Sequence, residues 1–136
     1  MRTNFASSTV AVIVTKADFA NLSLIASPGP LRRRLQGATV VLSDAAPADL
    51  VTMNSQVVLQ DVSTGERRHV AVVYPPDADP AAGRISVLEA AGTALLGATP
   101  GQVIEWRDEG RVRRMRVQEV VHQPERSLRA NMVVRS

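Results

Sequence analysis

The sequence contains no cysteine and few aromatic residues: two Phe, one Trp and one Tyr among 136 residues. The absence of cysteine excludes disulfide bonds and thiolate metal sites, and it fits a reducing compartment. With so few aromatic side chains, the core of a folded domain must come from Val, Leu, Ile and Ala. There is also little aromatic surface on which nucleic-acid bases could stack.

A long hydrophobic run is missing as well. The longest apolar run near the N-terminus, Val10–Val14, is too short for a signal peptide or a membrane span. We therefore expect a cytoplasmic protein with no membrane partner. The length and the near-average content of charged and apolar residues indicate one folded domain, with or without a small appendage.

Charge is unevenly distributed along the chain, although the net charge is only +3. Residues 51–110 carry four Arg and eight acidic residues, whereas residues 111–136 carry seven Arg and two acidic residues. An acidic middle and a basic end favour a protein surface with two polar faces over a uniform nucleic-acid patch.

The N-terminal third predicts two short helices. Thr15 has the position of an N-cap, with Asp18 three residues later as in a capping box. The turn at residues 27–30 contains two prolines and a glycine, which end the first helix. A second apolar stripe follows at spacings of four, three and four residues: Leu31, Leu35, Ala38 and Leu42. Residues 1–46 are therefore predicted to form a short antiparallel helical hairpin.

After Pro47 the pattern changes to strands. The predicted strands are Gln56–Val62, Arg68–Tyr74, Ile85–Leu88, Gln102–Arg107 and Val112–Val121. A helical turn is expected at Ala91–Leu96, and broken alternation near Glu119 predicts a β-bulge. The fold class is thus α+β: an antiparallel β-domain with one short helix at residues 47–125, followed by a basic tail at 126–136.

Five segments carry a family-specific pattern. They are Asp77–Val87, Gly92–Gly97, Pro100–Ile104, Ala48–Ser55 and Val120–Glu125. Together they resemble the C-terminal domain of the Gre transcription factors and of Rnk, the family named for regulation of nucleoside diphosphate kinase. The resemblance covers more than half of the chain, and it implies an FKBP-like fold for residues 47–125.

The resemblance also implies a partner and a binding surface. In the Gre family the corresponding surface docks on a coiled coil of RNA polymerase at the rim of the secondary channel. The residues of this chain that fall on that surface are Asp77, Asp79, Arg84, Ser86 and Glu89. The family's usual Pro-containing pair before the helix is replaced here by Glu89-Ala90, a departure that affects the detail of docking.

Gre factors resemble this chain only in the C-terminal domain, since their N-terminal part is a long coiled coil with Mg²⁺-holding acidic residues at its tip. Here the predicted hairpin is short, and its turn at residues 26–30 has no carboxylate. The expectation is a polymerase-binding regulator that does not stimulate transcript cleavage. The alternatives are a protein that binds and regulates nucleoside diphosphate kinase, and an FKBP-like prolyl isomerase, which the scarcity of aromatics disfavours.

Catalytic and metal chemistry find little support in the sequence. His69 and His122 are far apart with no nucleophile or acid placed beside them, and Asp77 and Asp79 alone are too few for a metal site. We expect no enzyme activity and no cofactor. The arginines of residues 111–116 lie on a predicted strand and must point to both faces, which argues against sequence-specific DNA binding.

Overall fold

The computed structural model of the chain describes residues 12–128. The helices and strands, in chain order, are β1 Ile13–Thr15, α1 Lys16–Ile25, α2 Pro30–Gln36, β2 Thr39–Val41, β3 Gln56–Asp61, β4 Arg67–Val73, β5 Arg84–Ser86, α3 Ala90–Leu95, β6 Val103–Asp108 and β7 Arg111–His122. Residues 124–128 are helical. Most of the predicted basic tail, residues 129–136, and the first 11 residues of the predicted hairpin lie outside the described part of the chain.

The main structure is a five-stranded sheet with the strand order β5-β4-β3-β7-β6. All neighbouring strands are antiparallel except β4 and β5, which are parallel because a loop crosses over between them. The predicted bulge near Glu119 is confirmed: Val58 lies opposite Glu119 and Leu59 lies opposite Val117, so Gln118 is an extra residue in β7. The five predicted strands of residues 47–125 are confirmed, with ends shifted by one or two residues at most positions.

The N-terminal third is a β1-α1-α2-β2 unit. It contains a parallel pair of short strands in addition to the two predicted helices. Thr15 is confirmed as the N-cap of α1, since its Oγ1 accepts a hydrogen bond from the Asp18 amide at 3.1 Å. The prediction that the second helix continues through Ala38 and Leu42 was wrong, because α2 ends at Gln36. Thr39–Val41 are β-branched and pair in parallel with β1.

One hydrophobic core crosses the predicted boundary at Pro47. Leu22 of α1 and Leu35 of α2 are buried in the same cluster as Leu59, Val72 and Leu95 of the β-domain. A buried apolar side chain contributes roughly 1.5–3 kcal/mol to stability, so the N-terminal unit supports the sheet. Independent folding of residues 47–125 remains a prediction, and such a fragment would expose the core side chains that α1 and α2 cover.

Candidate functional site

The loop between β4 and β5, together with β5 itself, places four of the five predicted docking residues at one edge of the sheet. Asp79 and Arg84 pair through their backbones: each amide donates to the other's carbonyl, at 2.9 and 3.0 Å. Gly83 makes this closure possible with a left-handed φ of 79°, where a Cβ would also lie 2.6 Å from the His69 carbonyl oxygen. The loop is therefore a folded knob, and the outer edge of β5 is already occupied.

Arg84 holds this knob together with its side chain. Its Nη2 lies 3.3 Å from Asp79 Oδ2, and its Nε donates to the Asp77 carbonyl oxygen at 3.1 Å. Because the Arg84 and Asp79 side chains are both about half exposed, this ion pair adds little to stability. It does neutralise Asp79, so the exposed Asp77 carboxylate is left as the stronger acidic feature of the loop.

Ser86 and Glu89 connect the knob to α3. The Ser86 side chain is buried, and its hydroxyl accepts a hydrogen bond from the Leu88 amide at 3.1 Å. Glu89 is exposed at the N-cap position of α3, where its carbonyl accepts from the Thr93 amide. Of these two predicted docking residues, Glu89 is exposed to solvent, whereas Ser86 is buried and holds the turn.

A groove of about 830 Å³ opens beside Glu89 on the inner face of the sheet. Its lining includes the half-buried apolar residues Val70, Ile85 and Trp106. The charged residues around them are Arg68, Glu89, Arg107, Asp108, Glu109 and Arg113. An apolar floor inside a charged rim is the usual anatomy of a protein-binding surface. This groove was not predicted from the sequence, although the chain's single Trp lines it.

Arg113 lines the groove and lies close to two carboxylates. Its guanidinium lies 3.9 Å from Asp61 and 3.8 Å from Asp108, and its side chain is one quarter exposed. The pKa of Asp61 is lowered, chiefly by hydrogen bonds from the Ser63 hydroxyl and amide and less by Arg113. This region of β7 therefore supplies a fixed cation to the groove.

Two buried carboxylates, Asp18 and Glu125, lie outside the lining of the groove. Asp18 Oδ2 accepts a hydrogen bond from the Met53 amide at 3.0 Å, and Glu125 Oε1 accepts one from the Thr52 hydroxyl at 2.7 Å. Burial raises the pKa of Asp18 to about 6, and the nearby Glu125 carboxylate adds to the increase. The carboxylate predicted only as a capping group thus ties α1 to the loop before β3.

Tyr74 completes this buried cluster. Burial and the Asp18 carboxylate raise the pKa of its phenol. Its hydroxyl is buried beside Asp18 and Asn21, and within residues 12–128 neither contact has the geometry of a full hydrogen bond. Tyr74 does not line the groove that contains Trp106, so the two aromatic side chains of the β-domain lie in different parts of it.

Comparison with known proteins identifies the family. Residues 46–121 match the model of the transcription elongation factor GreA/GreB C-terminal domain. This match spans more than half of the chain and includes β3 to β7, the knob and the groove. The chain belongs to the GreA/GreB C-terminal domain family. The predicted resemblance to the Gre and Rnk proteins is confirmed.

Individual Gre-family relatives agree with this assignment. The regulator of nucleoside diphosphate kinase from Escherichia coli (strain K12) is 36% identical over 96 residues, which is 70% of this chain and 71% of that protein. The GreA elongation factor of Thermotoga neapolitana is 30% identical over 82 residues, covering 60% of this chain and 53% of its own length. The solved structure of a GreA/GreB elongation factor from Nitrosomonas europaea superposes with a TM-score of 0.72 and 34% identity, covering 84% of this chain and 100% of that one.

In this Gre-family chain, the basic residues between positions 12 and 128 do not form one stripe. On β7, Arg114 pairs with Glu105 at 3.0 Å on one face, while Arg113 turns into the groove on the other, as strand alternation predicts. Met115 and Val117, which follow on the same strand, are buried on either side of Arg116. Among Arg32–Arg34 only the first two are exposed. Cations dispersed in this way are suited to solvation and to local ion pairs, and less suited to contacting bases along a nucleic-acid groove.

Within residues 12–128, His, Asp and Glu side chains form no group of three that could hold a metal ion. His69 is exposed on β4 opposite Val58. His122, the last residue of β7, lies opposite Gln56, and its Nδ1 is 3.4 Å from the Ser127 hydroxyl. No helix in the described part of the chain is both long and apolar enough to cross a membrane.

Proposed function

We propose that this chain is a transcription regulator that binds RNA polymerase near its secondary channel, through the knob at residues 77–84, Glu89 and the adjoining groove. We call these residues together the docking face. The observation that carries the proposal is the family match, which covers every element of this face. The names of the GreA relatives describe them as transcription elongation factors.

The geometry favours docking through side chains. Strand addition at β5 is blocked, because both backbone groups of Arg84 already pair with Asp79 and the Ser86 carbonyl accepts from the Glu89 amide. Trp106 offers the kind of aromatic anchor that dominates binding energy at protein interfaces. Asp77 and Glu89 are exposed carboxylates at the margin of this surface, so they suit a partner segment with basic residues.

The shape of the N-terminal unit supports a protein that binds polymerase and does not stimulate transcript cleavage. α1 has 10 residues and α2 has seven, so the helices are only about 15 and 10 Å long. The connection at residues 26–29 has no carboxylate, and Asp18 is buried against Met53. Metal assistance needs ligands carried to the reaction, and this part of the chain offers neither reach nor ligands.

Charge reversal at the knob should weaken polymerase binding. For the double variant Asp77→Lys, Asp79→Lys we expect a loss of about 1–2 kcal/mol at low salt, because exposed carboxylates facing a basic partner lose attraction and gain repulsion. The loss should shrink in about 1 M salt, where the screening length falls to about 3 Å. Titration of labelled protein with RNA polymerase at two salt concentrations measures it.

The matched control is Asp44→Lys, Glu119→Lys, which changes the net charge equally at exposed positions outside the knob. This control should bind like the wild-type protein. Equal losses in both double variants would show a general charge effect and would remove the knob from the docking face.

The pure protein should not accelerate cleavage of backtracked RNA by polymerase. Added to a reaction stimulated by a GreA factor, it should lower the cleavage rate as its concentration rises, because both proteins would occupy one polymerase site. A gel assay of RNA cleavage with and without GreA measures both effects. Acceleration by the pure protein, or unchanged GreA stimulation at concentrations that saturate polymerase, would contradict this prediction.

A second function is favoured by one relative. The Escherichia coli protein that is 36% identical is named as a regulator of nucleoside diphosphate kinase, so direct binding to that kinase is the alternative. Affinity capture with the wild-type chain, compared with the Asp77→Lys, Asp79→Lys variant, separates the two. Polymerase subunits lost from the variant's eluate support the proposal, whereas recovery of the kinase alone supports the alternative.

A further inference from the structure

Arg34 differs from its two neighbours in the Arg32–Arg34 run. Its Nε and Nη2 donate to the Leu96 carbonyl oxygen at 3.2 and 2.9 Å, and Nη2 also lies 3.4 Å from the Ala94 carbonyl oxygen. The side chain is half-buried, whereas Arg32 and Arg33 are exposed. Burial lowers the pKa of Arg34, as expected for a guanidinium partly removed from water.

The acceptors of Arg34 are the carbonyls that end α3. The last carbonyls of a helix have no partner within the helix and carry partial negative charge. Leu96 is the C-cap residue of α3, so the guanidinium satisfies its carbonyl and complements the helix dipole. These charge-assisted bonds join residues 62 positions apart, and they connect the N-terminal unit to the β-domain.

The opposite end of α3 belongs to the docking face. Glu89 is the N-cap residue of this six-residue helix, and Ala90 and Ala91 line the groove. The helix is held at both ends: the Thr93 hydroxyl donates to the Val87 carbonyl at 2.7 Å, and the Gly97 amide donates to the Val51 carbonyl at 2.9 Å. Because α3 has only six residues, we expect a shift of its C-terminal end to change the orientation of Glu89 at its N-cap.

We propose that Arg34 is a positioning residue for the docking face: by clamping the C-terminal carbonyls of α3, it fixes the orientation in which Glu89 meets the partner. This inference rests on the proposed function. It gives the N-terminal unit a role in binding that needs no contact between that unit and the partner.

The test compares Arg34→Met with Arg33→Met, which removes the same charge one residue away at an exposed position. Arg34→Met should weaken polymerase binding about tenfold, because Glu89 is no longer held in the orientation in which it meets the partner. Arg33→Met should bind like the wild-type protein. Arg34→Lys keeps the charge but not the forked geometry, and should recover part of the affinity. All variants are compared at a temperature where circular dichroism shows them fully folded.

Two further measurements separate positioning from general stability. In a double-mutant cycle, Arg34→Met should have a much smaller effect in the Glu89→Lys background, because both changes act through the same end of α3. Amide hydrogen exchange should accelerate about tenfold at Leu96 to Ala98 in Arg34→Met while the β3 and β7 amides keep their protection.

Each outcome is decisive. Additive effects in the cycle, or equal affinities of Arg34→Met and the wild-type protein, would overturn the inference. If the wild-type chain fails to bind polymerase, the proposed function fails by itself, and the exchange experiment still decides whether Arg34 clamps α3: unchanged exchange at Leu96 to Ala98 would overturn the clamp as well.

Discussion

Replacing Gly92 with alanine should destabilise the protein by about 3 kcal/mol or more, in the range of severe steric substitutions. A Cβ at this position would lie 2.1 Å from the Ser86 carbonyl oxygen and 2.9 Å from the Val87 Cα, and both are backbone atoms that cannot turn aside. Gly92 is in α3, where helix propensity alone would favour alanine by about 1 kcal/mol. A loss of stability would show that the steric clash of the Cβ outweighs the higher helix propensity of alanine, and a gain would show the reverse.

Urea unfolding of the two proteins measures this difference. The matched control is Gly37→Ala, because Gly37 has a φ of −96° and a Cβ there meets nothing within 4 Å. The control should be neutral or slightly stabilising. A Gly92→Ala variant as stable as the wild-type protein would mean that α3 does not approach β5 as closely as described, and would weaken the argument that α3 positions Glu89.

Asp18→Asn should raise stability above pH 6 and change how stability depends on pH. The pKa of Asp18 is about 6 in the folded protein against 3.8 for a free carboxyl, mainly because of burial, with Glu125 and Tyr74 as the titratable neighbours. The folded state therefore holds the proton more tightly. The stability that protonated Asp18 contributes is complete below pH 3.8 and is lost as the pH rises to about 6.

At pH 7 the charged carboxylate should destabilise the fold by up to about 3 kcal/mol relative to an unshifted group. The Asn side chain removes the charge and keeps an oxygen that can accept from the Met53 amide. The difference in unfolding free energy between Asp18→Asn and the wild-type protein should grow between pH 4 and 7, while Asp44→Asn, at an exposed carboxyl, shows no such growth. A constant difference for Asp18→Asn would contradict the assignment.

Local patterns explain which parts of the fold were predicted. The break in strand alternation located the bulge beside Glu119, and Thr15 caps α1 as its spacing predicted. These features depend on residues that are close together in the sequence, so the local pattern of side chains is enough to predict them. The end of α2 was missed because β-branched Thr39–Val41 lie within an apolar spacing that also fits a helix.

The features of the candidate site also fall into those that the sequence predicts and those that depend on tertiary structure. The sequence by itself determined the family and the position of Glu89 before a short helix. Only the tertiary structure decided that Arg84 neutralises Asp79, that Trp106 opens into a groove, that Asp18 is buried against Met53, and that Arg34 caps α3. The physical reason is distance along the chain. A charged side chain has the same appearance in a sequence whether it faces water or a partner 62 residues away, and only the packing that brings those partners together decides its pKa, its hydrogen bonds and its role.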